Sequence, residues 1–128
     1  MSVRLHYRYR DASNYKAQAV TTIAGDWSDD EVTRFRAAIA TAARGAGVDP
    51  TTFSPVDLDL PPAQQVLWEQ FDRSDDDHIY NELLEIEQTT DRPDVIGLNA
   101  AELLVRAERV AREGYDVTRA MDVIGIDA

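Results

Sequence analysis

The chain has no cysteine, which excludes disulfides, thiolate nucleophiles and cysteine-ligated zinc. Lysine is almost missing too: Lys16 stands alone beside the arginines. Bases are outnumbered by acids, 13 against 24, for a net charge of −11, so the summed field repels nucleic-acid backbones and anionic membrane surfaces and favours basic partners. No apolar run approaches the roughly 18 residues of a membrane span. Met1 to Arg10 alternates charged and apolar residues where a signal peptide would have a hydrophobic stretch, and the chain reads as cytoplasmic and without membrane association. Neither a Gly-x-Ser-x-Gly elbow nor a Gly-x-x-x-x-Gly-Lys loop occurs, so nucleophilic catalysis and phosphate cradling are set aside. No cofactor is implied.

What is present fits one domain with one core: 128 residues, 44% of them hydrophobic. Val3, Leu5, Tyr7 and Tyr9 alternate with Arg4, His6, Arg8 and Arg10, a period of two that predicts a strand with one apolar and one cationic face. Asp11 to Asn14 carries turn residues, and Tyr15 to Ala24 resumes a β-compatible run, which makes a hairpin. In a regular register Lys16, Gln18 and Thr22 join the arginine face. Residues 1–20 then hold four of the 13 bases and one of the 24 acids, leaving nine bases and 23 acids elsewhere. Arg4, His6, Arg8, Arg10 and Lys16 are therefore a candidate docking face for a protein partner or for self-association. The plainer reading is a solvated sheet face neutralised by the protein's own acids.

Ser28 and Glu31 form a capping box, with Trp27 as a staple residue toward Val32, and open a helix over 28–44 whose stripe is Val32, Phe35, Ile39 and Ala42. Asp29, Asp30 and Glu31 suit the helix dipole better than a metal, and Gly45 offers a left-handed stop. Val56, Leu58 and Leu60 alternate with Asp57 and Asp59, which predicts a short edge strand over 55–60. Pro62 to Phe71 predicts two turns of helix. The stretch from Asp72 to Gln88 fits two periods: Ile79, Leu83 and Ile86 a helix, Tyr80, Leu84 and Ile86 a strand. Leu98, Asn99 and Glu102 repeat the staple and capping pattern and open a second helix, closed by Gly114. A short helix follows over Asp116 to Val123. This pair looks like the first two helices of a helix-turn-helix, but it carries no basic excess and no recognition helix follows, so DNA reading is disfavoured.

The segment Tyr7-Arg8-Tyr9-Arg10-Asp11-Ala12-Ser13-Asn14-Tyr15-Lys16 resembles the opening hairpin of a family of small, uncharacterised bacterial and phage α+β proteins. Phe53-Ser54-Pro55 through Leu60-Pro61 resembles a second family segment, and Asp77-His78-Ile79-Tyr80-Asn81-Glu82 resembles its closing strand, with Asn81 where the family has a second histidine. The resemblance covers roughly residues 7–90, implies a compact sheet protein, favours the strand for 78–88, and supplies no reaction to transfer.

The expected fold is thus α+β: a small, largely antiparallel sheet from residues near 3–10, 15–24, 55–60 and 78–88, packed by one main helix within 1–90, with a C-terminal helical hairpin over 98–128. The expected function is a non-enzymatic protein-interaction or regulatory module of the kind phages and mobile elements carry as accessories. The alternative is a metal-dependent hydrolase or nuclease using the cluster from Asp75 to Glu82. Its ligands would be Asp77, His78 and Glu82, joined by Asp75 and Asp76 and by His6 if the strands bring it near, since carboxylate and imidazole suit a divalent ion.

Overall fold

A computed structural model describes residues 1–10, 16–64 and 78–124. The turn at 11–14, the helix expected over Val66 to Phe71, and Asp75, Asp76 and Asp77 lie outside the described residues.

Strand β1 (Ser2–Arg10) follows the alternation read from its sequence: Val3, Leu5, Tyr7 and Tyr9 are wholly buried while Arg4, His6 and Arg8 are half-buried on the opposite face. It pairs antiparallel with β2 (Lys16–Ala24) in an unbroken register that sets Arg10 opposite Lys16, Arg8 opposite Gln18 and Arg4 opposite Thr22. On its other side β1 pairs antiparallel with β4 (Asn81–Thr89), and the two-residue β3 (Thr52–Phe53) completes the order β2-β1-β4-β3. Of the stretch with two competing periods, the part from Asn81 on is strand; His78, Ile79 and Tyr80 precede it, later than the expected start at 78, and 72–77 lie outside the described residues.

The ambiguity has a physical origin. His6 faces Glu85 and Tyr7 faces Leu83, so Leu84 has no opposite number on β1 and forms a bulge. Ahead of the bulge Asn81 and Leu83 point inward; beyond it Ile86, opposite Leu5, points inward and Glu85 and Glu87 point out. A strand whose phase slips by one residue matches no single period.

The edge strand expected over 55–60 is corrected. Pro55–Leu58 is a turn of 3₁₀ helix, and the edge strand is the shorter β3 just before it. The alternating burial is real, since Val56, Leu58 and Leu60 are all buried, but it is produced by a tight turn. Pro55 suits the first helical position, and Asp59 ends the turn in the left-handed region at φ 59°, which swings Leu60 back inward. Ser54 Oγ donates to Asp57 Oδ2 at 2.6 Å, a local bond that favours the turn over an extended ladder.

Helix α1 (Asp29–Ala46) opens on the expected capping box: Glu31 N–H reaches Ser28 Oγ at 3.2 Å and Ser28 N–H reaches Glu31 Oε1 at 3.0 Å. Trp27 stacks on Phe35, ring centres 4.7 Å apart, and its indole N–H donates to Ala100 O at 2.8 Å. The stop lies two residues later than expected, at Gly47, whose φ of 74° lets its N–H close back on Ala43 and Arg44; Gly45 stays helical. Helix α2 (Ala100–Glu113) is capped by Asn99, whose side chain accepts from Glu102 N–H at 2.9 Å.

Both helices bury their stripes on the β1 core face: Phe35, Ile39 and Ala42 from α1, and Leu103, Leu104, Ala107 and Val110 from α2, share one cluster with Leu5, Tyr7 and Phe53. The second member of the C-terminal helical pair, α3 (Val117–Ile124), packs Ala120 and Ile124 against Val56 and Ile79 in a smaller cluster. Helices cover one face of the sheet, and the architecture is α+β.

Candidate functional site

The face opposite the helices, uncovered among the described residues, carries the residues singled out in the sequence. Regular pairing puts Arg4, His6, Arg8 and Arg10 of β1 between Lys16, Gln18, Val20 and Thr22 of β2 and Glu82, Glu85 and Glu87 of β4. Arg8 meets Glu82 at 2.7 Å, and Arg10 reaches the other oxygen of the same carboxylate at 3.5 Å. Arg4 pairs with Glu87 at 3.2 Å and also with Asp91. His6 Nε2 bonds Glu87 Oε1 at 2.8 Å. These bonds, His6 first and Arg4 second, hold the Glu87 carboxyl below its ordinary range.

Among the described residues the face therefore holds four arginine and lysine cations, Arg4, Arg8, Arg10 and Lys16, and four acids, Glu82, Glu85, Glu87 and Asp91, which balance. The charges are segregated into rows, bases along β1 and β2, acids along β4. Val20 on β2 and Leu84 on β4 leave 51% and 42% of their surface to solvent. Of the two readings of the cationic strand, the geometry matches the face neutralised by its own acids.

Beside this face the β1 end opens into a cleft of about 520 Å³ lined by Arg8, Arg10, Asp49, His78, Tyr80 and Glu82. His78 precedes β4 and is fixed there. Its Nδ1 accepts from Tyr80 N–H at 3.1 Å, which leaves Nε2 as the protonated nitrogen donating to Arg10 O at 2.8 Å. Its ring lies 4.9 Å from that of Tyr9. With Nδ1 accepting and Nε2 protonated, no imidazole lone pair faces the cleft, and Glu82 is shared by two guanidiniums. His78 and Glu82 come together as the metal reading requires, but they are already engaged with backbone and arginines. His6 does not join them: it sits opposite Glu85, four strand residues from Arg10, or about 13 Å. Among the described residues no group of three or more histidines, aspartates or glutamates could hold a metal ion. Asp77 lies outside them.

Asn81 is buried and structural. Its Oδ1 accepts from Ala63 N–H at 3.0 Å, its Nδ2 donates to Gln64 Oε1 at 2.7 Å, and Gln64 Nε2 donates to His78 O at 3.0 Å. This chain of amides ties residues 61–64 to the start of β4. Sequence reasoning missed it, as it missed Glu87 and Asp91. The alternation of Glu82, Glu85 and Glu87 with apolar neighbours was a usable signal for the acidic row once the bulge is allowed for.

No protein-family model, curated protein or solved structure matches the chain. No helix among the described residues is long and apolar enough to cross a membrane.

Proposed function

We propose that this protein is a non-enzymatic interaction module that docks a protein partner on the open face of its sheet. The carrying observation is that one sheet face is packed by α1 and α2 while the other is covered by no helix among the described residues and holds opposed rows of charge, with Val20 and Leu84 exposed. Such rows are paired at rest, so their cost of desolvation on docking is reduced, and a partner with a complementary pattern exchanges one set of ion pairs for another. The balance of charge on the described face and the net charge of −11 both argue against nucleic acid as that partner. The resemblance of the hairpin and closing strand extends the reading to a cytoplasmic accessory protein of a phage or mobile element.

The test compares immobilised wild type, Arg8→Ser/Arg10→Ser and, as a control on the far end of α1, Arg44→Ser in lysate of the native host. A protein retained by wild type and control, and weakened by about 1–3 kcal/mol in the face variant with a dependence on salt, supports the reading. A partner held equally by all three would place docking elsewhere. Calorimetric titration of the metal-stripped protein with Mg²⁺, Mn²⁺ and Zn²⁺ is expected to give no saturable heat; stoichiometric micromolar binding lost in His78→Ala would restore the metal-dependent hydrolase in its place.

A further inference from the structure

A strand at the margin of a sheet turns half of its backbone groups toward solvent, and natural proteins close or guard that edge. One margin here is the two-residue β3; the other is β2. Its odd-numbered residues bond inward: Gly25 N–H donates to Met1 O at 3.1 Å just past the strand end, and the same phase continues through Ile23, Thr21, Ala19 and Ala17. The even-numbered residues bond outward. Two of these are closed by the chain itself. Thr22 N–H donates to Asp94 Oδ1 at 2.9 Å and Thr22 O accepts from Asp94 N–H at 3.0 Å, while Ala24 makes a parallel bridge with Asn99. The outward groups of Lys16, Gln18 and Val20 have no partner among the described residues, and all three side chains are exposed.

We infer that the open margin from Lys16 to Val20 pairs with the same strand of a second copy, antiparallel and centred on Gln18, joining two four-stranded sheets into one. A two-fold axis that relates a strand to itself makes the pair antiparallel. Asp94 blocks Thr22, so the usable outward residues are 16, 18 and 20, and centring on Gln18 is the register that engages all three on both copies. Lys16 then lies opposite Val20 of the partner subunit, which covers the exposed valine with the lysine stem.

The charges favour this register. The two Lys16 side chains sit at opposite ends of the pairing, about 14 Å apart along the strand, so they do not confront each other. Each lies two positions, about 7 Å, from the partner's Asp94, within reach of an extended lysine. The aspartate that closes one half of the edge thus supplies a carboxylate to the copy that closes the other. The contact is small and backbone-based, which suits a reversible dimer of modest affinity. Its backbone bonds lie at the margin of the sheet, though it shares the Lys16 and Val20 side chains with the open face.

Sedimentation velocity from micromolar to near-millimolar protein tests the inference. Wild type is expected to show a reversible monomer–dimer equilibrium. Val20→Lys, which sets a lysine against the partner's Lys16, is expected to weaken it by about tenfold or more. Gln18→Pro removes an outward N–H that the monomer does not use and is expected to abolish the dimer while circular dichroism keeps the monomer's fold. If Gln18→Pro does not fold, Val20→Lys alone decides. A wild type that stays monomeric throughout, a dimer that survives either folded variant, or a dimer lost in Leu84→Glu with Val20→Lys unaffected would overturn the inference, the last by moving the contact to the open face.

Discussion

Replacing Asn81 should be among the most damaging single changes in the described chain, although Asn81 touches no candidate ligand. The side chain is 1% exposed and makes two bonds, one from Ala63 N–H and one to Gln64 Oε1. Asn81→Leu keeps the number and branching of the side-chain heavy atoms and removes both bonds, leaving a buried backbone donor and a buried amide acceptor without partners. Each such orphan costs about 1–3 kcal/mol, so the expected loss is about 2–6 kcal/mol. A chain of this length has about 6–19 kcal/mol of stability in all, so the loss is a large fraction. Urea unfolding followed by fluorescence measures it, with an unchanged slope showing that the two-state reference is preserved. The double variant Asn81→Leu/Gln64→Leu should lose less than the two single losses combined, because the Gln64 acceptor disappears with its donor. A loss below about 0.5 kcal/mol for Asn81→Leu, the range of an ordinary surface change, would refute the account of a tightly satisfied network.

Two titrations follow from the same structure. His6 and Arg4 depress the Glu87 carboxyl, so its contribution to stability is present above the ordinary value of 4.5 and is lost as pH falls through the lower folded value. Melting temperatures across acid pH should therefore drop less steeply in Glu87→Gln than in wild type, and identical slopes would contradict the assignment. The Tyr7 hydroxyl, buried and bonded to Thr21 Oγ1 at 2.8 Å and to Pro61 O at 2.5 Å, is pushed up to about 12, mainly by burial. A raised value stabilises the fold below the ordinary 10 and that contribution is lost as pH rises through 12, so ultraviolet titration should show late-ionising phenols, one fewer in Tyr7→Phe. Ionisation of all tyrosines near 10 with the fold intact would argue against it.

Local signals were legible in the sequence and long-range ones were not. Strand β1 could be read because its alternation is strict, and the starts of α1 and α2 because Ser28 with Glu31 and Asn99 with Glu102 satisfy orphan N–H groups three residues on. Residues 55–60 misled because a 3₁₀ turn ended by a left-handed Asp59 buries every second side chain from Val56 to Leu60, as a strand does. The cationic half of the open face was visible in β1, but its acids were not assignable: Arg4 and Glu87 are 83 positions apart, and which glutamate meets which arginine depends on the slip at Leu84. The role of His78 was hidden for a similar reason, since both nitrogens answer to backbone groups, one of them 68 positions away.

That slip has a consequence for how the chain tolerates changes of length. Removing one residue from a paired strand ordinarily throws everything beyond it onto the wrong side. In β4 the reverse holds. Struck from the text, Leu84 leaves Asn-Glu-Leu-Glu-Ile-Glu-Gln, a flawless alternation in which every acid already stands over its base and every inward residue over its place in the core. The strand is a regular sentence with one surplus letter. It is the point at which the sheet can be shortened without being rewritten, and where sheet curvature can be varied while the charge rows keep their register.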